Sequence, residues 1–127
     1  MVESQKKQVA SEAQEQAAVI DWWRFACRKY GVPEVALLHV ANEGTGSAAR
    51  GRLQKRQGVR AGVADLFLSV PRGAFSGLWI EMKRKGGCVR PEQREFLSNM
   101  QALGYDGAVC HGADEARAVI TAYMTQL

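Results

Sequence analysis

Two apolar runs, ADLFLSV and LWIEMK, carry charge inside them: Asp65 sits near the head of the first, and Glu81 and Lys83 lie within the second. The intervening PRGAFSG has a proline and two glycines, so residues 65–70 and 78–83 are expected to form a hairpin with a longer loop. Side chains alternate along a strand, which puts Trp79, Glu81 and Lys83 on one face and Leu78, Ile80 and Met82 on the other. This pattern requires a sheet with one face covered by apolar packing and the other shaped around charge. Pairing Val70 with Leu78 would place Asp65 opposite Lys83 and diagonal to Glu81, within ~8 Å. A slip of one residue would turn Asp65 to the opposite face.

The remaining segments supply the covering layers. From Ser11 a helix is expected, with Glu12, Gln16, Val19 and Trp23 on one face and Trp22, Ala26 and Tyr30 beside them, stopped by Gly31 and Pro33. VALLHVA, residues 35–41, reads as a strand, and the glycine-rich basic segment after it as loop with a short helix around Ala48 to Gln57. Pro91 suits the first turn of a helix whose Phe96, Leu97, Met100 and Leu103 share a face until Gly104. GAVCHG reads as a strand and Asp114 to Met124 as a terminal helix. The order is α, β, (α), β, β, α, β, α, an α/β domain with helices flanking a mixed sheet. A chain of 127 residues suits one domain, here 11–127 after a charged lead-in over 1–10.

No apolar run approaches the ~18 residues of a membrane span, and MVESQKKQVASEAQEQ lacks the apolar centre of a secretory signal, so a cytoplasmic protein is expected. Cys27, Cys88 and Cys110, with only His39 and His111 as nitrogen partners, indicate neither a disulfide framework nor a zinc site.

Two carboxylates converging on one face repel each other unless positive charge lies between them. A hard divalent cation, Mg²⁺ or Mn²⁺, suits an oxygen-only site that also admits phosphate oxygens. A lysine on the same face could orient a water and stabilise charge on phosphorus in the transition state. Trp79 shares this face, either as packing under the sheet end or as a wall beside substrate. Glu-x-Lys alone is a weak signal, since such tripeptides commonly form cross-strand ion pairs. The net charge is +4, and Arg50, Arg52, Lys55, Arg56 and Arg60 occur with no acid between Gly44 and Ala64. Lys83, Arg84, Lys85, Arg90 and Arg94 follow, diluted by Glu92. Such clusters suit a polyanion, through release of condensed counterions, or a solvated basic face.

GVRAGVADLFLSV, LWIEMKRKGG and VRPEQREFLSNMQALGY resemble the virus-type replication-repair nuclease (VRR-NUC) domain, a branch of the PD-(D/E)XK nucleases. The likeness runs from about Glu12 to the C-terminus. Gly58, Gly62 and Asp65 stand in the segment that leads into the hairpin, Glu81 and Lys83 form Glu-x-Lys, and Gln93 opens the next helix. Ala64 occupies a position where the family usually has proline, which changes backbone stiffness and no ligand. The resemblance implies a restriction-endonuclease-like fold and catalytic residues Asp65, Glu81, Lys83 and Gln93. It implies a metal set of Asp65, Glu81, Glu12 and Met82, with Glu15 competing for the role of Glu12. Asn42, interrupted by Glu43, is similar to the family's Asn-Gly segment. DNA is the implied substrate, contacted by Arg50, Arg52, Lys55, Arg56, Arg60 and Lys85. Short stand-alone members imply a phage or bacterial source, a homodimer, action on branched or Holliday-junction DNA, and other replication proteins, such as a helicase, as partners. The location would be the host cytoplasm if the chain is phage-encoded.

A non-catalytic nucleic-acid-binding adaptor that retains the fold is the competing function, and a small-molecule phosphohydrolase is disfavoured by the basic loop. No Walker loop, Ser-His-Asp set or Cys-His pair offers other chemistry.

Overall fold

The computed structural model describes residues 10–41 and 47–127. The expected Asn42 and Glu43 segment lies outside the described residues. Helix α1 spans Glu12–Lys29, followed by a 3₁₀ turn over Glu34–Ala36 and strand β1, Leu37–His39. Then come α2, Ala48–Arg56; β2, Leu66–Leu68; β3, Leu78–Lys83; α3, Pro91–Ala102; β4, Asp106–His111; and α4, Ala113–Met124. The order of elements matches the sequence reading. The first strand is shorter than expected, because residues 34–36 turn instead of extending and the Glu34 carbonyl accepts the indole N–H of Trp23 at 2.9 Å.

Helix α1 begins at a reciprocal cap: Ser11 Oγ accepts the Gln14 N–H at 3.1 Å, and Gln14 Oε1 accepts the Ser11 N–H at 2.9 Å. It ends where Gly31 takes a positive φ of 66° ahead of Pro33. Its buried stripe, Val19, Trp23 and Cys27, packs with Ala116, Ile120 and Tyr123 of α4 against Leu78, Ile80 and Met82 of β3. This is the core. Burying each large apolar side chain stabilises the fold by roughly 1.5–3 kcal/mol.

The sheet runs β1-β2-β3-β4, antiparallel across the first two pairs and parallel between β3 and β4, which α3 connects. Helix α3 lies on the face opposite the core. There Trp79 stacks on Phe67 with ring centroids 4.3 Å apart and meets Phe96 edge-on at 5.0 Å, so Trp79 packs beneath α3.

The hairpin register differs from the expected one: Leu68, and not Val70, lies opposite Leu78. Strand β2 stops early because its following residues have other partners. Ser69 binds the Ala36 carbonyl through its N–H at 2.8 Å, and the Val70 carbonyl accepts the Tyr123 hydroxyl at 2.6 Å. The shift is two residues, an even number, so every side chain keeps its face. Continuing the observed pairing brings Asp65 level with Glu81 instead of Lys83.

Candidate active site

Asp65 immediately precedes β2, and its backbone is fixed to the end of β1. Its carbonyl accepts the Val40 N–H at 2.8 Å and the His39 ring nitrogen Nδ1 at 2.8 Å. A carbonyl can only accept, so Nδ1 of His39 carries the proton. The Asp65 side chain reaches across to β3, where Oδ2 accepts the Met82 N–H at 2.8 Å. The N–H and C=O of one strand residue leave on the same edge. The Met82 carbonyl therefore faces the Asp65 side, while its side chain is fully buried in the core beneath. Any ligand role of Met82 runs through its main chain.

Glu81 is 2% exposed and Lys83 5% exposed, values at which an unpaired charge would be costly. Lys83 Nζ lies 3.7 Å from Glu81 Oε1, and the same oxygen accepts from Gln93 Nε2 at 2.8 Å. Gln93 Oε1 accepts the Arg90 N–H at the start of α3 at 2.9 Å. Because a backbone N–H must meet an oxygen, the amide orientation of Gln93 is determined: its NH₂ has to face Glu81. The other carboxylate oxygen, Glu81 Oε2, is buried with no hydrogen-bond partner.

Burial, followed by the neighbouring Asp65 charge, pushes the Glu81 carboxyl up to about 8 against the pull of Lys83. Burial likewise raises Asp65, partly offset by the Met82 N–H. Glu12 raises both through its charge. Glu15 is committed elsewhere, its Oε2 accepting the Ala113 N–H at the start of α4 at 2.5 Å. Of the two acids in the first turn, Glu12 is thus the one whose field reaches the carboxylate pair. Among the described residues, no three His, Cys, Asp or Glu side chains form a ready cage for a metal. The arrangement instead presents two carboxylates and a main-chain carbonyl, a set that accepts positive charge and leaves room for oxygens from outside the protein.

A cleft of about 130 Å³ opens on this group, lined by His39, Gly62, Asp65, Glu81, Arg90 and Gln93 among others. Gly62 has φ of 85° and lies so close to α3 that a Cβ there would run into the Glu92 carbonyl. The loop after α2 is thereby seated on the first turn of the helix that carries Gln93.

The expected site residues divide into two sets. Asp65, Glu81, Lys83 and Gln93 converge, with Glu12 nearby. Lys55 and Arg60 line hollows beside the cleft, while Arg50, Arg52 and Arg56 are exposed on or at the end of α2, and Lys85 is exposed on the turn after β3. His39 and Arg90 belong to the cleft although sequence reasoning gave them no role there. The one local sign of His39 was a polar residue in an otherwise apolar run.

A mixed sheet between helices, with an aspartate at the head of one strand and Glu-x-Lys on the next, defines a core of the PD-(D/E)XK nuclease type. The VRR-NUC domain matches residues 6–114, and the chain belongs to the VRR-NUC domain family. It is a nuclease domain by that membership. A solved structure described as a VRR_NUC domain protein is 26% identical and superposes with a TM-score of 0.77 over 91% of this chain and 89% of that one. No curated protein matches the chain. Among the described residues, no helix is long and apolar enough to cross a membrane.

Proposed function

We propose that this chain is a Mg²⁺- or Mn²⁺-dependent DNA endonuclease that hydrolyses phosphodiester bonds, acting on branched or Holliday-junction DNA in phage or bacterial replication or repair. The observation that carries the metal reading is Glu81 Oε2, a buried oxygen that meets no donor once Glu81 and the neighbouring Asp65 are both ionised. Leaving such an atom unsatisfied costs about 1–3 kcal/mol or more, which a bound cation would offset. Asp65, Glu81 and the Met82 carbonyl would hold the ion, with Glu12 approaching from α1. Oxygen donors of this kind fit the hard divalent ions. When bound, such an ion lends positive charge to phosphate oxygens and makes a water easier to deprotonate.

The residues of the chain divide the remaining work. Lys83 places a fixed ammonium beside Glu81, where it can orient water and donate to a phosphate oxygen as negative charge develops. Gln93 holds Oε1 of Glu81 and so leaves Oε2 as the carboxylate oxygen open to a cation. The basic side chains of α2 and the following loop attract the DNA backbone. A binding-only adaptor is the second reading, and it gives no reason to bury Glu81, Lys83 and Gln93 in one linked group. Phe25, 73% exposed on α1, supports a homodimer surface more directly than Trp23, which is buried, or Trp22, which packs partly against the core. Light scattering at micromolar protein tests the dimer: cutting two strands of a junction in concert needs two active sites, as a two-fold dimer supplies, so a monomer with and without junction DNA would remove Holliday-junction resolution from the proposal. A replication partner such as a helicase and a cytoplasmic location belong to the same reading; pull-down from an infected or native host lysate tests the first, and fractionation of the host cell tests the second.

The deciding experiment sets linear duplex, flap and four-way-junction DNA against the wild type, Asp65→Ala and Glu81→Ala, each with Mg²⁺, Mn²⁺ or EDTA. The wild type should cut only with a metal ion. Both variants should lose cleavage while keeping the fold and most DNA binding. Cleavage in EDTA, or by either variant, would end the metal-site proposal.

A further inference from the structure

Two hollows adjoin the catalytic cleft in the space between α2 and α3. The nearer, about 280 Å³, shares Gly62 and Arg90 with the cleft; the farther, about 440 Å³, shares Lys55, Arg60 and Glu92 with the nearer. They form a groove leading away from the carboxylates, and its far end lies in the size range of sites that enclose a small organic group.

The far end is not built for a DNA backbone. Glu92 and Glu95 line it, and carboxylates repel phosphate. Phe96 and Asn99 are on the same wall, one helical turn apart on α3 and its side-chain neighbours at this spacing. A phenyl side chain, an amide and carboxylates suit the face and hydrogen-bonding edge of a nucleobase, carboxylates pairing with exocyclic amino donors such as that of cytosine. In a duplex those edges are occupied by the complementary base. Cations are present where the path of the strand requires them: Arg90 is at the junction with the cleft, and Lys55 and Arg60 are on the opposite wall.

Resting on the nuclease reading, we propose that this groove receives an unpaired base flanking the scissile phosphate, so that the preferred substrate carries a single-stranded extension at the cleavage position. The groove supplies contacts that an intact duplex cannot use. Phe96 offers the base an apolar wall, Asn99 and Glu95 engage its polar edge, and Arg90 meets the phosphate that links it to the reacting strand.

The test is fluorescence anisotropy in EDTA with one labelled duplex made blunt, 3′-tailed or 5′-tailed. The wild type should bind one tailed form at least about fivefold more tightly than the blunt form, the lower end expected for one base held against an aromatic side chain. Phe96→Leu and Asn99→Ala should each remove most of that advantage while blunt-duplex affinity stays within about twofold. Asn99 is exposed on α3, so its variant keeps the test valid should Phe96→Leu loosen the packing on Trp79. No tail preference in the wild type, or equal losses on tailed and blunt DNA, overturns the proposal. Cleavage by the wild type with Mg²⁺, measured in parallel, separates the two readings: tail preference without cleavage removes the nuclease reading, and cleavage without tail preference removes this one.

Discussion

Gln93 donates its side-chain amide to Glu81 Oε1 at 2.8 Å while its own oxygen is held by the Arg90 N–H at 2.9 Å. A helix cap and the buried carboxylate proposed to hold the metal are thereby joined through one side chain. Gln93→Ala removes both contacts and should lower metal affinity or turnover by about 10- to 100-fold, the range for a residue that orients a ligand. Gln93→Glu keeps the oxygen for Arg90 but sets a carboxylate against Glu81. It should retain the helix cap and lose activity as severely, read by Mg²⁺ titration of the cleavage rate alongside thermal unfolding. Normal activity in Gln93→Glu would mean that Gln93 serves the helix alone.

Metal-free stability should depend on pH in a defined direction. The Glu81 carboxyl rises from 4.5 to about 8 on folding, and Asp65 is raised as well, both principally by burial. The folded chain therefore holds these protons more tightly than the unfolded chain does. The Glu81 contribution is complete below pH 4.5 and is lost as pH rises toward about 8, and Asp65 adds a contribution of the same sign that begins to be lost above 3.8. In EDTA, the Tm of the wild type should fall across that window more than the Tm of Glu81→Gln. Mg²⁺ should reverse the difference at pH 8, where the carboxylates are free to bind it. Parallel curves for the two proteins would show that Glu81 is ionised already in the metal-free fold.

Gly62 and Gly58 separate backbone strain from close approach. Both have positive φ, 85° and 99°, but a Cβ at Gly58 meets nothing within 4 Å, whereas one at Gly62 meets the Glu92 backbone. Gly58→Ala should cost about 1 kcal/mol from strain alone. Gly62→Ala should cost more, on the order of 2–3 kcal/mol, and should also slow cleavage by displacing the first turn of α3. Urea unfolding midpoints and single-turnover rates of the two variants make the comparison, and equal effects would show that the contact with α3 has no bearing on the site.

Arg52 and Arg56 are exposed on α2, a helix that buries no residue, so their charge is available to solvent and DNA. Arg52→Glu with Arg56→Glu should weaken DNA binding and reduce the slope of log affinity against log salt by about 1 to 2. Metal affinity should be unchanged. An unaltered slope would make α2 a bystander.

What the sequence by itself determined follows from periodicity, which is local. Alternation along LWIEMK assigns Glu81 and Lys83 to one face and Met82 to the other whatever the partner strand does, and the two-residue difference in register left Asp65 on the Glu81 face. The caps and breakers around α1 and α3 are equally local, since Ser11, Gly31 and Pro91 act on their own turns. Only tertiary structure decided matters that depend on what arrives from elsewhere in the chain. Strand β2 ends at Leu68 because Ala36 and Tyr123 take the next residues. Glu12 and Glu15 look alike along α1, and the start of α4 separates them by binding Glu15. Gln93 reads as a good helix-capping residue in its own segment, and its second bond exists because β3 brings Glu81 under α3. His39 enters the cleft through the carbonyl of Asp65, 26 residues away. A hydrogen bond across that separation depends on the packing of the whole domain, and the residues flanking either partner carry no trace of it.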